Sequence, residues 1–484
     1  MIENTVVIGK DRRRWLMLFL FSILEFGNAV LWVTFSPISD VTQHYFEKSP
    51  YNTASAVNML ANIFLILYLP GTILGSITIK KYGLKNALLL GGVLTSIGSF
   101  IRYVAVINNT DLGDEGTYYL ILFGQALSSL AQPIFLNMPP LLASTWFPVK
   151  ERELTTTIGA VSSPLGNAFG SYLPVFFVHE EKRVDNSYHV HGFAELMLCQ
   201  FLICLIPFLL SIVFFLDKPS TPPSMSTYLK DRANQPIVGK VENLPPNTPP
   251  KPSSTSDIQS IICDVKELFQ NKNFVLLFWN FSIGYGFFCA ILTLVNQIIS
   301  PYGYDNQDSS LFGLIFSATG VLGSIVIGSI MSKYRKYNTT LKTTNIMILL
   351  ASIFFLLMLY HDNIAWLGLS YALLGLFTTA VVPVSMNCCA EISYPISDEL
   401  SVGILLIGAN IMGFGLIFLL QDLIELRDNE HYNYFNVFNV VYLSLIVIQN
   451  LLLVMYSGDY KRLQYEVLSM SSEMNSDMNE PLIK

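Results

Sequence analysis

The sequence predicts an all-α membrane protein: twelve transmembrane helices arranged as two six-helix repeats. Three observations predict it. Hydrophobic residues make up 52% of the 484 residues and charged residues 13%, with a mean hydropathy of +0.48, a balance that soluble chains of this length rarely show. Apolar stretches near the length of about 20 residues that crosses a bilayer recur twelve times. A glycine-led basic turn also recurs at matching places in the two halves, "GSITIKKYGLK" from Gly75 and "GSIMSKYRKYN" from Gly328.

The first span, 14–37, follows a short polar segment, 1–13, and is too long for a signal-peptide core, so it is expected to be retained. Spans follow at 55–79, 86–107, 117–138, 154–178 and 194–216, completing a bundle over 14–216. Residues 217–273 then turn polar, with "DKPSTPPSMS" and "ENLPPNTPPKPSSTSD". Such Pro/Ser-rich composition predicts a largely disordered linker. Its last stretch, "DIQSIICDVKELFQNKN", has the pattern of a short amphipathic helix. Six more spans, 274–299, 309–332, 343–360, 365–388, 400–421 and 434–456, form a second bundle over 274–457, before a polar tail, 458–484. Paired six-span repeats characterise major facilitator transporters.

Lysine and arginine orient the spans. With the N-terminus in the cytosol, 23 of the 28 fall on the cytosolic side; Lys48, Lys182, Arg183 and Arg427 fall on the other, and Arg102 lies within span three. Both termini and the linker are therefore expected in the cytosol. "NNT" makes Asn108 a glycosylation candidate on the far side. All six histidines, His44, His179, His189, His191, His361 and His431, also fall there. Exclusion from spans would explain that, and so would an acidic lumen in which histidine is charged. The six cysteines lie in spans, at span ends or in the cytosolic linker, so no disulfide framework or CxxC metal pair is expected. The net charge of −7 and the lack of a basic run interleaved with aromatics point away from nucleic acid. No phosphate-binding loop, HExxH or GxSxG is present, so no nucleotide-driven pump, metal cofactor or enzyme is expected.

Polar side chains within spans carry what chemistry there is. Glu25, Asn28 and Trp32 share one face of span one by their i, i+3, i+7 spacing. A carboxyl group in lipid is costly unless it faces a cavity or a partner. There it could hold and release a proton, with Asn28 and Trp32 walling a solute site; a purely structural contact between helices is the bland reading. Gln125 and Gln132, seven apart on span four, offer uncharged donors and acceptors, with Ser128 and Ser129 between them. Asn296 and Gln297 end span seven and Asn410 lies in span eleven; each alone reads as an interhelical hydrogen bond. Arg102 is expected to snorkel to the far interface or to pair with Glu25.

Several stretches resemble the solute carrier 49 family: "RRWLMLFLFSILEFGNAVLW", "GQALSSLAQPIFLNMPPLLASTWFPVKERELTTTIGAV", "LTLVNQ" and "AEISYP". "NMPPLLASTWFPVKER" and "SGDYKRLQYEVLS" are more similar to the branch of the protein called disrupted in renal carcinoma 2 than to the feline leukaemia virus subgroup C receptors. The first branch implies a lysosomal membrane protein linked to proton-driven pyridoxine transport; the second implies choline, ethanolamine or haem. By the resemblance, Trp32 and Gln132 are pocket residues. The family's span-seven aromatic falls at Cys289, with Phe288 beside it, and its span-eleven glutamine falls at Asn410. Glu25 owes its assignment to physical chemistry and not to the resemblance.

The tail carries "YKRL" from Tyr460 and "YEVL" from Tyr465 to Leu468, and ends in "EPLIK". These have the form of endolysosomal sorting signals read by cytosolic adaptors. The sequence therefore predicts proton-coupled export of pyridoxine, or a similar small polar aromatic, from the lysosomal or late endosomal lumen. Choline or ethanolamine transport, a plasma-membrane location and a non-transporting receptor or scaffold are the alternatives.

Overall fold

The computed structural model describes residues 11–148, 151–182, 188–221, 223, 258–334, 336–359, 363–393, 396, 398–426 and 437–458. Most of the linker and the tail with Tyr460, Tyr465 and Leu468 lie outside the described residues.

Helix α1 (Arg14–Trp32) stops five residues short of the expected span. Pro37 disfavours helix at the residue before it, and Thr34 turns its hydroxyl back to the carbonyls of Val30 and Leu31. A short helix, α2 (Ser39–Tyr45), leads to α3 (Ala54–Ile66), whose start is capped by Thr53 accepting the Ala56 N–H. Helix α4 (Tyr68–Ile107) joins the rest of the second expected span to the third. The chain reverses at Gly83, whose φ of 85° suits glycine. There Asp217 accepts the Lys85 N–H at 2.9 Å, so the far end of the first helical set caps the restart.

Helix α5 (Asn109–Leu136) bends at Gly113, and α6 (Pro139–Trp146) leads to α7 (Arg152–Tyr172). A 3₁₀ turn, Leu173–Phe176, finishes the expected fifth span. The all-α expectation needs one correction. Strands β1 (His179–Lys182) and β2 (Tyr188–His191) form an antiparallel pair, His179 opposite His191, before α8 (Phe193–Phe214). The ladder pairs backbone groups that an irregular connection would leave to solvent.

The linker's last stretch is helical, as its pattern predicts: α9 (Ile258–Gln270). Then come α10 (Lys272–Thr293) and α11 (Val295–Ile299), separated at Leu294. The remaining long helices are α12 (Asn306–Tyr334), α13 (Tyr337–Met358), α14 (Ile364–Ser393), α15 (Asp398–Leu426) and α16 (Val437–Val454).

Among the described residues, ten helical stretches are long and apolar enough to cross a membrane. Ala54–Ile107 enters that number as one stretch, although Gly83 reverses it. Helix α7 is absent from the ten; the triplet Thr155, Thr156, Thr157 with Ser162, Ser163 and Asn167 dilutes its apolar run.

Packing falls into two sets. Helix α1 lies against α5, α7 and α8, and α4 against α5 and α8. Helix α10 lies against α14, α15 and α16, and α13 against α14 and α16. The sets meet mainly through α7 with α12 and α3 with α15. Within the second set α12 and α14 touch backbone to backbone. A Cβ at Gly375 would stand 2.0 Å from the Phe316 carbonyl oxygen, and one at Gly323 would stand 1.9 Å from that of Leu376.

Candidate functional site

Helix α1 shows three faces to its own set. Ala29 and Val30 meet Gly166 and Gly170 of α7, Gly27 meets Cys204 of α8, and Asn28 meets α4 and α5. On the helical wheel Glu25 and Trp32 fall between the α5 side and the α7 side. That face looks out at the second set, where Trp32 meets Phe288 of α10 with ring centroids 6.3 Å apart. Phe288 in turn packs against Tyr285 at 5.6 Å and Phe316 of α12 at 5.7 Å. Ala61 and Leu65 of α3 belong to the same buried cluster. Trp32 and Phe288 touch directly, so a solute reaching them must part them or lie against their edges.

Several polar atoms of the expected site residues and of α3 are buried without a hydrogen-bond partner: Trp32 Nε1, both carboxylate oxygens of Glu25, both amide atoms of Asn62, Gln125 Oε1 and Asn410 Oδ1. Buried polar groups are normally satisfied, so each bare one calls for an explanation. Glu25 is only 2% exposed. Two helical turns, about 10 Å along the axis, separate it from Trp32.

The other expected site residues divide. Asn28 is committed within the first set, its Nδ2 donating to Thr95 Oγ1 at 3.0 Å and to the Ser128 carbonyl at 2.8 Å. Gln125 ties α5 to the carbonyls of Leu31 and Leu60 at 3.3 and 3.0 Å. Gln132 is buried two turns further along α5. Asn410 donates to the Leu406 carbonyl of its own helix at 2.8 Å. Cys289, where the resemblance places an aromatic, is buried, and a Cβ at Gly413 of α15 would stand 3.5 Å from its own. Asn108 sits at the junction of α4 and α5 and donates to the Val104 carbonyl at 2.9 Å.

Arg102 follows neither expectation. It is fully buried, so it does not snorkel, and its Nη2 donates to Gln200 Oε1 at 2.9 Å instead of reaching Glu25. Gln200 passes the contact on to Thr34 Oγ1 at 2.9 Å, and the guanidinium lies 5.3 Å from the Phe35 ring centre. Phe35 and Gln200 supply nearby what a span interior otherwise withholds, a ring face and an amide.

At the end of the bundle where α1 gives way to α3, side-chain amides cross between the two sets. Asn58 donates to Gln421 at 2.8 Å and to Gln297 at 3.2 Å; Gln297 returns a bond to Asn58 at 2.8 Å and donates to Ser39 at 3.2 Å. Gln421 also donates to Ser55, and to Glu425 of its own helix at 3.1 Å. The sequence reading reached Gln297 but missed Asn58, Asn62 and Gln421. The signal was there: Asn58 and Asn62, four apart, form a polar stripe in an otherwise apolar segment. Beyond this latch, a cavity of about 170 Å³ is lined by Asp40, Gln43, His44, Glu47 and Asn52. Burial pushes the Asp40 carboxyl upward from its usual range, partly countered by the Val41 N–H and by His44. His44 Nδ1 contacts Glu180 of β1.

Helices long enough to cross a bilayer, meeting at a seam of aromatic rings and bare polar atoms, define a membrane carrier for small solutes. The Major Facilitator Superfamily pattern matches residues 15–417, and the chain belongs to that superfamily. Among its curated relatives is solute carrier family 49 member A3 of Xenopus tropicalis, 29% identical over 415 residues, covering 85% of this chain and 78% of the relative. The human choline/ethanolamine transporter FLVCR2 is 26% identical over 452 residues, covering 92% of this chain and 77% of its own. The solute carrier 49 resemblance read from the sequence is thus matched by a relative bearing that family's name. Among solved structures, a D-xylose-proton symporter superposes with a TM-score of 0.66 at 13% identity, over 93% of this chain and 98% of that one. A bacterial homologue of the human lysosomal transporter Spinster, inward-facing, gives 0.60 at 10% over 93% and 98%. At such identities the likeness is one of fold.

Proposed function

We propose that the chain is a twelve-span, proton-coupled carrier that moves pyridoxine, or a similar small polar aromatic, from a lysosomal or late endosomal lumen to the cytosol. The twelve spans count both arms around Gly83, and α7 as the fifth. Residues 14–216 and 274–457 are the two six-helix bundles, with 1–13, 217–273 and 458–484 in the cytosol; the grouping of helix contacts supports this division. Alternating access rocks one bundle against the other around the seam. The observation that carries the reading is Glu25, buried and without a partner, on the same face of α1 as Trp32. Bare hydrogen-bonding atoms suit a neutral polar ring. The second reading is choline or ethanolamine, favoured by the printed name of the human relative and by the aromatic faces of Trp32 and Phe288.

Purified protein in proteoliposomes, given labelled pyridoxine, choline and ethanolamine with and without a pH gradient, separates these. Gradient-dependent accumulation of pyridoxine is the expected result. Uptake of choline or ethanolamine alone would assign the second reading. Uptake of none would sink both solute readings.

Two further outcomes are expected. Trp32→Phe keeps a ring in the seam and removes the bare indole N–H, so solute affinity measured by competition should weaken by about 1 kcal/mol, the worth of one hydrogen bond. Trp32 is 3% exposed, so Trp32→Ala would add a folding loss of about 3 kcal/mol and obscure the binding effect. Tyr460→Ala with Tyr465→Ala should move the protein toward the cell surface in imaging of tagged cells. An unchanged location would transfer the address to "EPLIK".

A further inference from the structure

We propose that Asn62 is a solute-contacting residue that sets specificity for a hydroxyl group. The proposal rests on the carrier reading above and deepens it. Asn62 is fully buried, and neither its Nδ2 nor its Oδ1 has a hydrogen-bond partner. A primary amide left bare in this way penalises the state that contains it.

Its direction is fixed by its neighbours on α3. One turn earlier, Asn58 bonds Gln297 and Gln421 of the second set. Three residues later, Leu65 Cδ1 lies 3.4 Å from where a Cβ on Gly413 of α15 would stand. Asn62 lies between these contacts on the same helical face, so it points into the seam between the two sets, immediately inside the amide latch. Other bare atoms belong to the residues around that seam: the Trp32 Nε1 donor and the Gln125 Oε1 acceptor. Gln125 is itself tied to the Leu60 carbonyl of α3, two residues from Asn62.

A hydroxyl both donates and accepts, so one hydroxyl can satisfy the two halves of a carboxamide. A site built to bond a hydroxyl rejects the analogue that lacks it, because the buried amide is then left bare. The solute class is therefore a small hydroxyl-bearing compound, a property that pyridoxine, choline and ethanolamine share. A solute seated on Asn62 also sits one helical turn from Asn58, so binding and the latch adjoin through a single helix.

The test uses full-length protein in nanodiscs. Melting is measured without solute, and binding with tritiated pyridoxine and tritiated choline, for wild type, Asn62→Leu and Asn58→Leu. Without solute, Asn62→Leu should melt at or above wild type, since no bond is lost, whereas Asn58→Leu should melt lower. Binding of whichever solute wild type takes should weaken at least tenfold in Asn62→Leu. Melting of Asn62→Leu well below wild type would reveal a structural partner and overturn the proposal, as would unchanged affinity. If wild type binds neither probe, the pyridoxine and choline assignments above fail. The melting comparison then decides the amide: a rise supports a site for another hydroxyl compound, and a fall overturns it.

Discussion

Glu25→Gln protein is expected to bind and exchange solute with near wild-type affinity and to lose accumulation driven by a pH gradient. The carboxyl group lies in the membrane-spanning part of α1, and both its oxygens are buried without a partner. An ionised carboxylate there costs several kcal/mol, roughly, unless water or a cation joins it. On the proposed alternating-access cycle, its charge state is linked to whether the seam is open to either side. Gln keeps the volume and a hydrogen-bonding group but cannot cycle a proton. Counterflow exchange and gradient-driven uptake, measured on the same proteoliposomes, separate the two functions. A well-folded Glu25→Gln protein that still concentrates solute in proportion to the gradient would exclude Glu25 as the proton site. Arg102 is no rival partner in this structure, since its bonded contact is Gln200.

Gly375→Leu is expected to yield no monodisperse protein, and Gly375→Ala to yield protein melting several degrees lower. The Cβ of either residue would meet the Phe316 carbonyl oxygen at 2.0 Å, and the Phe316 carbonyl carbon and Cα at 2.7 and 2.8 Å. These are backbone atoms of α12, so no side chain can swing aside, and α12 and α14 must separate. Overpacking of side chains alone typically costs about 1–3 kcal/mol; displacing a helix backbone should exceed it. The control is Gly415→Ala, where an added Cβ meets nothing within 4 Å. Equal size-exclusion profiles and melting temperatures for Gly375→Ala and Gly415→Ala would show that the close approach is not required.

Helices were legible where composition alone decides them. The starts of α3, α10 and α16 fall within a few residues of the expected spans, because an apolar run in lipid must satisfy its own backbone. Places where the chain breaks locally were harder. The end of α1 depends on Pro37 and Thr34, and the reversal at Gly83 on Asp217, which is remote in sequence. The hairpin of β1 and β2 is too short to announce itself by alternation. At the candidate site, Trp32 and Glu25 could be singled out because each is unusual in its span. Arg102 could be noticed but not explained, since its partner Gln200 lies 98 residues away. The amide bonds of Asn58 span 239 and 363 residues. Nothing in the spacing of a single chain can pair such residues; only the packing of α3 near α11 and α15 does.

The latch between the two helical sets is made of carboxamides and serines, with Glu425 at its exposed rim. A unit charge crossing the full membrane field gains or loses about 2.3 kcal/mol per 100 mV. Amides carry no unit charge, so breaking the bonds of Asn58, Gln297 and Gln421 contributes no gating current. Their separation is also unscreened by salt, which weakens exposed ion pairs but not neutral hydrogen bonds. These bonds therefore break at the same cost in a polarised membrane as in a depolarised one. Any voltage dependence of their separation must come from charged groups elsewhere, such as the buried guanidinium of Arg102.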